Sequence, residues 1–297
     1  MSPRRWTIKE LLEVTADYLE KKEIDRPRLC AEILLCHQLK INRVKLYLAF
    51  DQPLNEREVS GYRSLIKRRL NREPIQHITG VQEFWSMEFI VGPQVLIPRP
   101  ESELLVEQVI SLYKAGGQTE ESGPTVLDLG TGSGALAVSL ARELGGASLW
   151  ASDISPDALD IAGKNVKRHG VEDRIQFIHG DLWQPFKEKT FTFDFIISNP
   201  PYIAIEDYDS LPPEVRDYEP RLALDGHNQG MFYIEKIIME GADYLNPGGW
   251  LLIEMDPVQT SKALELMEQG NCYGEKRRIR DYSRNYRVVM SQKAVVS

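Results

Sequence analysis

The sequence predicts an α/β fold: a Rossmann-like domain with a seven-stranded sheet, preceded by a small helical domain and a connecting β-hairpin. After residue 99, short apolar segments typical of buried strands alternate with amphipathic helical segments. Such alternation indicates a mostly parallel sheet covered by helices on both faces. Before residue 75, apolar residues recur at the i, i+3, i+4 spacing of helices. We therefore divide the chain into a helical domain (1–74), a hairpin linker (75–98) and an α/β domain (99–297).

The N-terminal elements follow from the spacing of apolar residues. Ile8, Leu11 and Leu12 lie on one helical face, and similar spacing continues to about residue 72, which predicts a small helical bundle. The segments 75–89 and 90–97 are rich in β-branched and aromatic residues. We expect these two segments to pair as a hairpin.

The α/β domain contains seven predicted strands, at residues 125–129, 148–152, 175–179, 193–198, 250–255, 275–279 and 286–290. Helices are predicted at residues 101–113, 135–144, 156–169, 231–245 and 259–268. The third of these begins most clearly, because Ser155 is a preferred N-cap residue and Pro156 is favoured in the first turn. Residues 115–124 are predicted to be a flexible polar connection.

The composition indicates a cytoplasmic protein without a metal site. No apolar run approaches the roughly 18 residues of a membrane span. Residues 1–5 lead into charged helical sequence and not into the apolar core of a signal peptide. The three cysteines, Cys30, Cys36 and Cys272, include no Cys-x-x-Cys pair, and an odd number argues against a disulfide framework. The five histidines lack metal-ligand spacing.

The charge is divided unevenly along the chain. Residues 1–75 hold 16 basic and 11 acidic residues, whereas the remainder holds 20 basic and 33 acidic residues. The predicted helix at 59–70 carries a basic face. The small domain therefore either meets a partner or presents an ordinary solvated surface, and charge alone does not separate these alternatives. So acidic a chain is a poor free-standing nucleic-acid binder, because phosphate contacts dominate such binding.

A glycine-rich loop between a strand and a helix predicts a nucleotide-type ligand. It reads Asp128-Leu129-Gly130-Thr131-Gly132-Ser133-Gly134, and glycines let the backbone turn sharply and approach a ligand closely. Asp153 ends the next predicted strand, where a carboxylate can bind ribose hydroxyls. Asp181 and Leu182 follow the third strand as a possible adenine contact. A tight turn without a ligand is the alternative.

Two details favour S-adenosylmethionine over a dinucleotide. The spacing is Gly-x-Gly-x-Gly, whereas the dinucleotide fingerprint is Gly-x-Gly-x-x-Gly. Asp128 lies directly before the loop, where it could meet the ligand's ammonium group and would repel a pyrophosphate. A nicotinamide-dependent dehydrogenase is therefore the weakest alternative.

The tetrapeptide Asn199-Pro200-Pro201-Tyr202 ends a buried strand, and in open α/β sheets ligands bind at such strand ends. The side-chain oxygen of Asn199 and the carbonyl of Pro200 can accept the two hydrogens of an NH₂ group, while Tyr202 offers an aromatic face to a planar group. An amide nitrogen needs alignment with an electrophilic methyl group and no general base before attack. A simple proline turn is the alternative. The tetrapeptide thus predicts N-methylation of a planar amide or amine.

These motifs, with the segments Gln76-His77-Ile78-Thr79-Gly80 and Ile97-Pro98-Arg99-Pro100-Glu101-Ser102-Glu103, resemble the HemK/PrmC-type release-factor glutamine methyltransferases over nearly the whole chain. The resemblance implies a seven-stranded S-adenosylmethionine-dependent methyltransferase domain. The substrate it implies is the glutamine of the Gly-Gly-Gln loop in class 1 peptide chain release factors. The segment around Arg99 discriminates this family, because adenine methyltransferases also carry Asn-Pro-Pro-Tyr.

The resemblance also implies roles for individual residues. Cofactor contacts are expected from Gly130, Thr131, Gly132, Ser133, Gly134, Asp153, Asp181, Leu182 and Asn199. Substrate contacts are expected from Asn199, Pro200, Pro201, Tyr202 and Arg99, with Asn199, Pro200 and Tyr202 as the catalytic residues.

The chain departs from the family pattern at two positions. Glu254-Met255-Asp256 stands where Glu-x-Gly is common, so Asp256 replaces the glycine. Asn285-Tyr286-Arg287 stands where Asn-Glu-Arg is common, so Tyr286 replaces the glutamate. Three alternatives stay open: an adenine methyltransferase, a methyltransferase acting on a ribosomal-protein glutamine, and a module that only binds S-adenosylmethionine.

Overall fold

A computed structural model describes residues 6–116, 123–188 and 191–294. The chain forms two compact units. One contains the chain up to Gly80 together with Pro213–Tyr218, and the other contains Val81–Pro212 and the chain from Glu219 onward. The hairpin is thus part of the second unit, and the helical unit extends beyond the predicted boundary at residue 74. The predicted connection at 115–124 and the charged start at 1–5 fall mostly outside the described residues.

The helices are, in chain order, α1 Ile8–Glu20, α2 Pro27–Leu39, α3 Arg43–Leu48, α4 Glu56–Leu70, α5 Ile75–Thr79, α6 Glu103–Ala115, α7 Ala135–Glu143, α8 Pro156–His169, α9 Pro213–Arg216, α10 Phe232–Gly241 and α11 Thr260–Gln269. The strands are β1 Val81–Phe84, β2 Met87–Ile90, β3 Thr125–Leu129, β4 Ser148–Asp153, β5 Ile175–His179, β6 Phe193–Ser198, β7 Leu245–Glu254, β8 Tyr273–Arg280 and β9 Tyr286–Lys293. None of the described helices is long and apolar enough to cross a membrane.

The helical unit consists of α1 to α5 with the short helix α9. Thr7 and Asn55 cap α1 and α4 through capping boxes, which satisfy N–H groups that a helix start leaves unpaired. The segment Pro213–Tyr218 is held in this unit by polar contacts of its side chains. Arg69 Nη2 lies 2.9 Å from Glu214 Oε1, and the Tyr218 hydroxyl donates to the Asn71 carbonyl at 2.6 Å.

The predicted hairpin is present but shorter than expected. β1 and β2 pair antiparallel from Val81↔Ile90 to Phe84↔Met87. The prediction of strand at 75–80 is wrong, because Ile75–Thr79 is helix α5, whose Ile78 packs into the helical core. Residues 91–97 contain no strand. In both segments tertiary packing and proline positions outweigh the β propensity of the apolar residues.

The second unit contains the predicted seven-stranded sheet, in the order β5-β4-β3-β6-β7-β9-β8. The first five strands are parallel, and β9 is antiparallel to both of its neighbours. Val126 and Ile197 face one hydrophobic core, whereas Leu127 and Ile196 face another. This alternation confirms a sheet buried on both faces.

The register of the central strands places three loops side by side. Leu129 of β3 pairs with Ser152 of β4, and Asp128 pairs with Ile197 of β6. The chain therefore leaves β3, β4 and β6 at neighbouring points on the carboxyl edge of the sheet, where α/β folds bind their ligands.

Candidate active site

The glycine-rich loop after β3 is held closely against the end of β4. Gly130 and Gly134 have φ values of 80° and 79°, which favour glycine. The N–H groups of Gly130 and Thr131 donate to the Ser152 carbonyl at 2.9 and 2.8 Å. The Gly132 N–H donates to Asp153 Oδ2 at 2.8 Å. Because three loop N–H groups are used within the protein, they cannot cradle a pyrophosphate.

Asp128 supports this loop from inside the protein. Its side chain is fully buried, and Oδ2 accepts hydrogen bonds from Thr131 Oγ1 at 2.6 Å and from the Ala137 N–H at 3.3 Å. Burial raises the pKa of Asp128 to about 7. A cleft lies at the carboxyl edge of the sheet, lined by the glycine-rich loop, Asp153 and Asn199 among others, and Asp128 is not part of its lining. Asp128 orders the loop, and its direct contact with a ligand ammonium group stays a prediction.

Asp153 lines the cleft at the end of β4. Besides Gly132, the Ser155 N–H donates to its carboxylate at 2.9 Å. Burial raises the pKa of Asp153, and these backbone hydrogen bonds oppose the rise. A carboxylate offers about four acceptor sites, so acceptor capacity is left for a ligand. Asp181 and Leu182 line the same cleft, and Leu182 has a φ of 42°, which is rare for a residue with a side chain.

The tetrapeptide begins at the end of β6. Ser198 Oγ donates to the Leu129 carbonyl at 2.7 Å, which fixes this strand end against β3. Asn199 Nδ2 donates to Ser102 Oγ at 2.9 Å, and Asn199 lines the cleft. Within the described residues the side-chain oxygen of Asn199 accepts no hydrogen bond, so it remains available to a substrate N–H. Pro200 and Pro201 complete this wall.

Tyr202 ends the tetrapeptide, and its contact with the substrate stays a prediction. Its ring packs against the core beneath β6 and β7 and does not line the cleft. Burial raises its pKa strongly. The Tyr202 carbonyl accepts a hydrogen bond from Gln259 Nε2 at 2.9 Å, so Gln259 holds the end of the tetrapeptide.

Arg99 also lies outside the cleft lining. Its Nη2 lies 2.5 Å from Glu219 Oε1, and Glu219 Oε2 accepts the Ile97 N–H at 2.9 Å. Glu219 is 5% exposed. The pair therefore anchors the segment 97–102 to the loop after α9, and Pro98 and Ser102 of that segment line the cleft.

Four residues that support the site were not expected from the sequence: Ser102, Glu219, Glu254 and Gln259. Gln259 carried a recognisable signal, because Asp256 and Gln259 form a capping box at residues 257–259. The departure at Asp256 therefore has a local function, since it caps the turn from which Gln259 reaches Tyr202. Tyr286, the other departure, stacks under the guanidinium groups of Arg278 and Arg280.

The cleft brings together most of the predicted site residues. It is lined by Gly130, Thr131, Gly132, Ser133, Asp153, Asp181, Leu182, Asn199, Pro200 and Pro201, but not by Gly134, Tyr202 or Arg99. Among the described residues that line it are two aspartates and no lysine, arginine or histidine. The charge and the apolar walls fit a cationic nucleoside such as S-adenosylmethionine and disfavour a phosphate-bearing ligand.

Comparison with known proteins gives matches over both units. Residues 10–80 match the family described as PrmC N-terminal domain, and residues 102–210 match the methyltransferase small domain. A release factor glutamine methyltransferase from Geobacter sulfurreducens is 41% identical, covering 91% of this chain and 92% of that protein. Another, from Rhodopirellula baltica, is 41% identical, covering 97% of each chain.

A solved structure supports the fold alone. It is a 16S rRNA methyltransferase from T. thermophilus in complex with AdoMet and guanosine. Its TM-score is 0.50 at 20% identity, covering 72% of this chain and 49% of that chain.

Proposed function

The chain belongs to the release factor glutamine methyltransferase family, and we propose that it methylates the glutamine side-chain amide in the Gly-Gly-Gln loop of class 1 peptide chain release factors. The methyl donor in this proposal is S-adenosylmethionine, whose sulfonium supplies an electrophilic methyl group. The observation that carries the proposal is the position of Asn199. Its side chain faces a cleft of acidic and apolar character, with its oxygen free to accept a hydrogen bond.

The residues of the cleft account for the chemistry through alignment. A glutamine amide is a weak nucleophile because its lone pair is delocalised into the carbonyl group. When Asn199 Oδ1 and the Pro200 carbonyl accept its two N–H hydrogens, the nitrogen is oriented toward the donor and positive charge growing on it is stabilised. The proton leaves after methyl transfer, so a base is not needed before attack.

The cofactor assignment is supported by the charge of the cleft. The cleft is lined by the loop Gly130 to Ser133 and by Asp153, Asp181 and Leu182. In this proposal Asp153 accepts hydrogen bonds from the ribose hydroxyls, and Leu182 contacts the adenine ring. Gly134 acts indirectly by turning the chain into α7, where its φ of 79° favours glycine.

The helical unit is assigned the selection of the protein partner. Its basic face on α4 suits an acidic surface, and a tetrapeptide alone cannot recognise a folded protein. Tyr202 and Arg99 are assigned to shaping the substrate wall from behind. The proposal places the enzyme in the cytoplasm, where release factors act.

Labelled methyl transfer tests the proposal. The purified protein is incubated with methyl-labelled S-adenosylmethionine and, separately, with a class 1 release factor, ribosomal proteins and stripped rRNA. The expected result is label in the release factor alone, and none with Asn199→Ala enzyme. Label in rRNA would favour an adenine methyltransferase, and label in a ribosomal protein would favour the related glutamine enzyme.

A further inference from the structure

A buried serine links the catalytic tetrapeptide to a buried carboxylate. Ser102 Oγ accepts the hydrogen bond from Asn199 Nδ2 at 2.9 Å. The carboxyl group of Glu254, at the end of β7, lies next to the same serine and can accept the hydrogen of its hydroxyl group. Ser102 is 4% exposed and Glu254 is 1% exposed. The side chains of Asn199, Ser102 and Glu254 thus form a continuous series from the cleft into the protein interior, although they belong to three separate segments of the chain.

Glu254 is an unfavourable residue at this position for stability. Its Oε2 makes no hydrogen bond within the described part of the chain. Arg99 and Arg287 attract it and Glu101 repels it, but the arginines are paired with other carboxylates, Glu219 and Asp281. Burying a carboxylate without an ion-pair partner destabilises a fold. Residues that destabilise the fold in this way are expected at sites where function requires them.

The order of donors and acceptors gives this arrangement a direction. Once ionised, Glu254 can only accept, so Ser102 then donates its one hydroxyl hydrogen to Glu254. The Ser102 oxygen can then only accept from Asn199, and the Asn199 amide must present its NH₂ group to the serine. The Asn199 carbonyl oxygen is thereby turned toward the cleft, as the substrate NH₂ group requires.

We propose that Ser102 and Glu254 are positioning residues for methyl transfer, which hold the Asn199 amide in the one orientation that accepts the substrate N–H. This inference rests on the proposed function, because the orientation matters only for a substrate that donates. Neither residue touches the reacting atoms. Both act through Asn199.

Substitution of Ser102 separates positioning from structure. Ser102→Ala is expected to lower kcat roughly tenfold to a hundredfold, because the amide can then flip, while cofactor affinity is unchanged. Ser102→Thr keeps the hydroxyl and should restore most of the activity. Ser139→Ala is the matched control, since Ser139 is also fully buried, and its hydroxyl has no hydrogen-bond partner among the described residues. It should leave kcat unchanged.

Glu254→Gln gives a second, opposite readout. The amide can donate to Ser102, which releases the constraint on Asn199, and it removes a buried charge. We expect kcat to fall at least tenfold while the melting temperature rises. If Glu254 had a purely structural role, its substitution would lower both kcat and the melting temperature, or would change neither.

The orientation of Asn199 can be measured without turnover. With ¹⁵N-asparagine labelling, the Asn199 side-chain NH₂ signals, assigned by their loss in Asn199→Ala, should be protected from exchange in the wild type and lose protection in Ser102→Ala. If the wild type methylates release factor while Ser102→Ala matches it in kcat and in Asn199 protection, the positioning role is overturned. If the wild type transfers no methyl group, the proposed function fails first.

Discussion

Asn199 is the residue on which the proposed chemistry depends. Its side-chain oxygen faces the cleft, whereas the cofactor wall is formed by the glycine-rich loop and Asp153. We therefore expect Asn199→Ala to abolish methyl transfer and to leave cofactor affinity within a few-fold of the wild type. Isothermal titration calorimetry and a turnover assay measure the two quantities. Loss of cofactor binding with turnover intact would mean that the roles are reversed.

Asp153 carries the complementary prediction for the cofactor. Asp153→Ala removes a charged acceptor for the ribose hydroxyls and should weaken S-adenosylmethionine binding by about 2 kcal/mol. The control is Asp160→Ala, which removes an exposed carboxylate from α8. An unchanged dissociation constant in Asp153→Ala would assign Asp153 to the backbone contacts of Gly132 and Ser155 alone.

Asp128 makes stability depend on pH. Its folded-state pKa is raised from 3.8 to about 7 by burial, so the folded state keeps a proton that the unfolded state loses. The contribution of Asp128 to stability is therefore complete below pH 4 and is lost as pH rises to about 7. Urea unfolding should show Asp128→Asn to be more stable than the wild type at pH 8, by on the order of 4 kcal/mol, and about equally stable at pH 4. Equal stabilities at pH 8 would contradict a buried, charged Asp128.

The site residues were predictable from sequence only where one segment carried the whole signal. The glycine-rich loop, Asp153 and Asn199 each follow a strand directly, so their positions follow from the strand ends. Other residues contribute through partners that are distant in the chain. Glu219 accepts a hydrogen bond from the Ile97 N–H, and Ser102 accepts one from Asn199. Such long-range pairs leave no local pattern. The partial packing of Tyr202 against the core is likewise a long-range contact that no local pattern predicts.

Among the elements, the turn before α10 fixes the tetrapeptide from outside. Gly230 has a φ of 67°, and a Cβ atom there would lie 2.0 Å from the Tyr202 carbonyl oxygen. We expect Gly230→Ala to displace that carbonyl, lowering kcat and costing on the order of 3 kcal/mol in unfolding free energy.

Gly170 offers the matched control for this substitution. It ends α8 with a φ of 64°, and nothing lies within 4 Å of a Cβ built there. Gly170→Ala should therefore cost about 1 kcal/mol and leave kcat unchanged. Equal effects of both substitutions on kcat would show that backbone strain, and not contact with Tyr202, explains the loss.

Element boundaries were predicted best where caps and burial agreed. The strands at 125–129, 175–179 and 193–198 and the helix at 156–169 have the predicted bounds. The hairpin is shorter than predicted at both ends. At its start, Ile75–Thr79 forms a helix that buries Ile78 in the helical unit, and at its end residues 91–97 form no strand. The β propensity of a short apolar segment does not determine which hydrophobic core the segment packs into.

For the whole molecule, the division of charge predicts where the partner binds. Arg63 and Lys67 are exposed on α4, and Arg69 is buried. Replacing Arg63 and Lys67 by glutamate should raise KM for intact release factor and lower its sensitivity to salt, because charge complementarity is lost. Turnover of a short Gly-Gly-Gln peptide should not change.

The control for charge reversal is Lys167→Glu on α8, another exposed lysine, in the second unit. It should affect neither substrate. If the double substitution on α4 slowed the peptide and the intact release factor equally, the helical unit would act in catalysis and not in partner selection.

The most direct test of the central claim is tandem mass spectrometry of a release factor after incubation with this enzyme and S-adenosylmethionine. We expect one added methyl group on the side-chain amide of the glutamine in the Gly-Gly-Gln loop. The modification should be absent with Asn199→Ala enzyme and absent from a release factor whose loop glutamine is replaced by alanine. A methyl group on another residue, or an unmodified glutamine with full transfer to RNA, would contradict it.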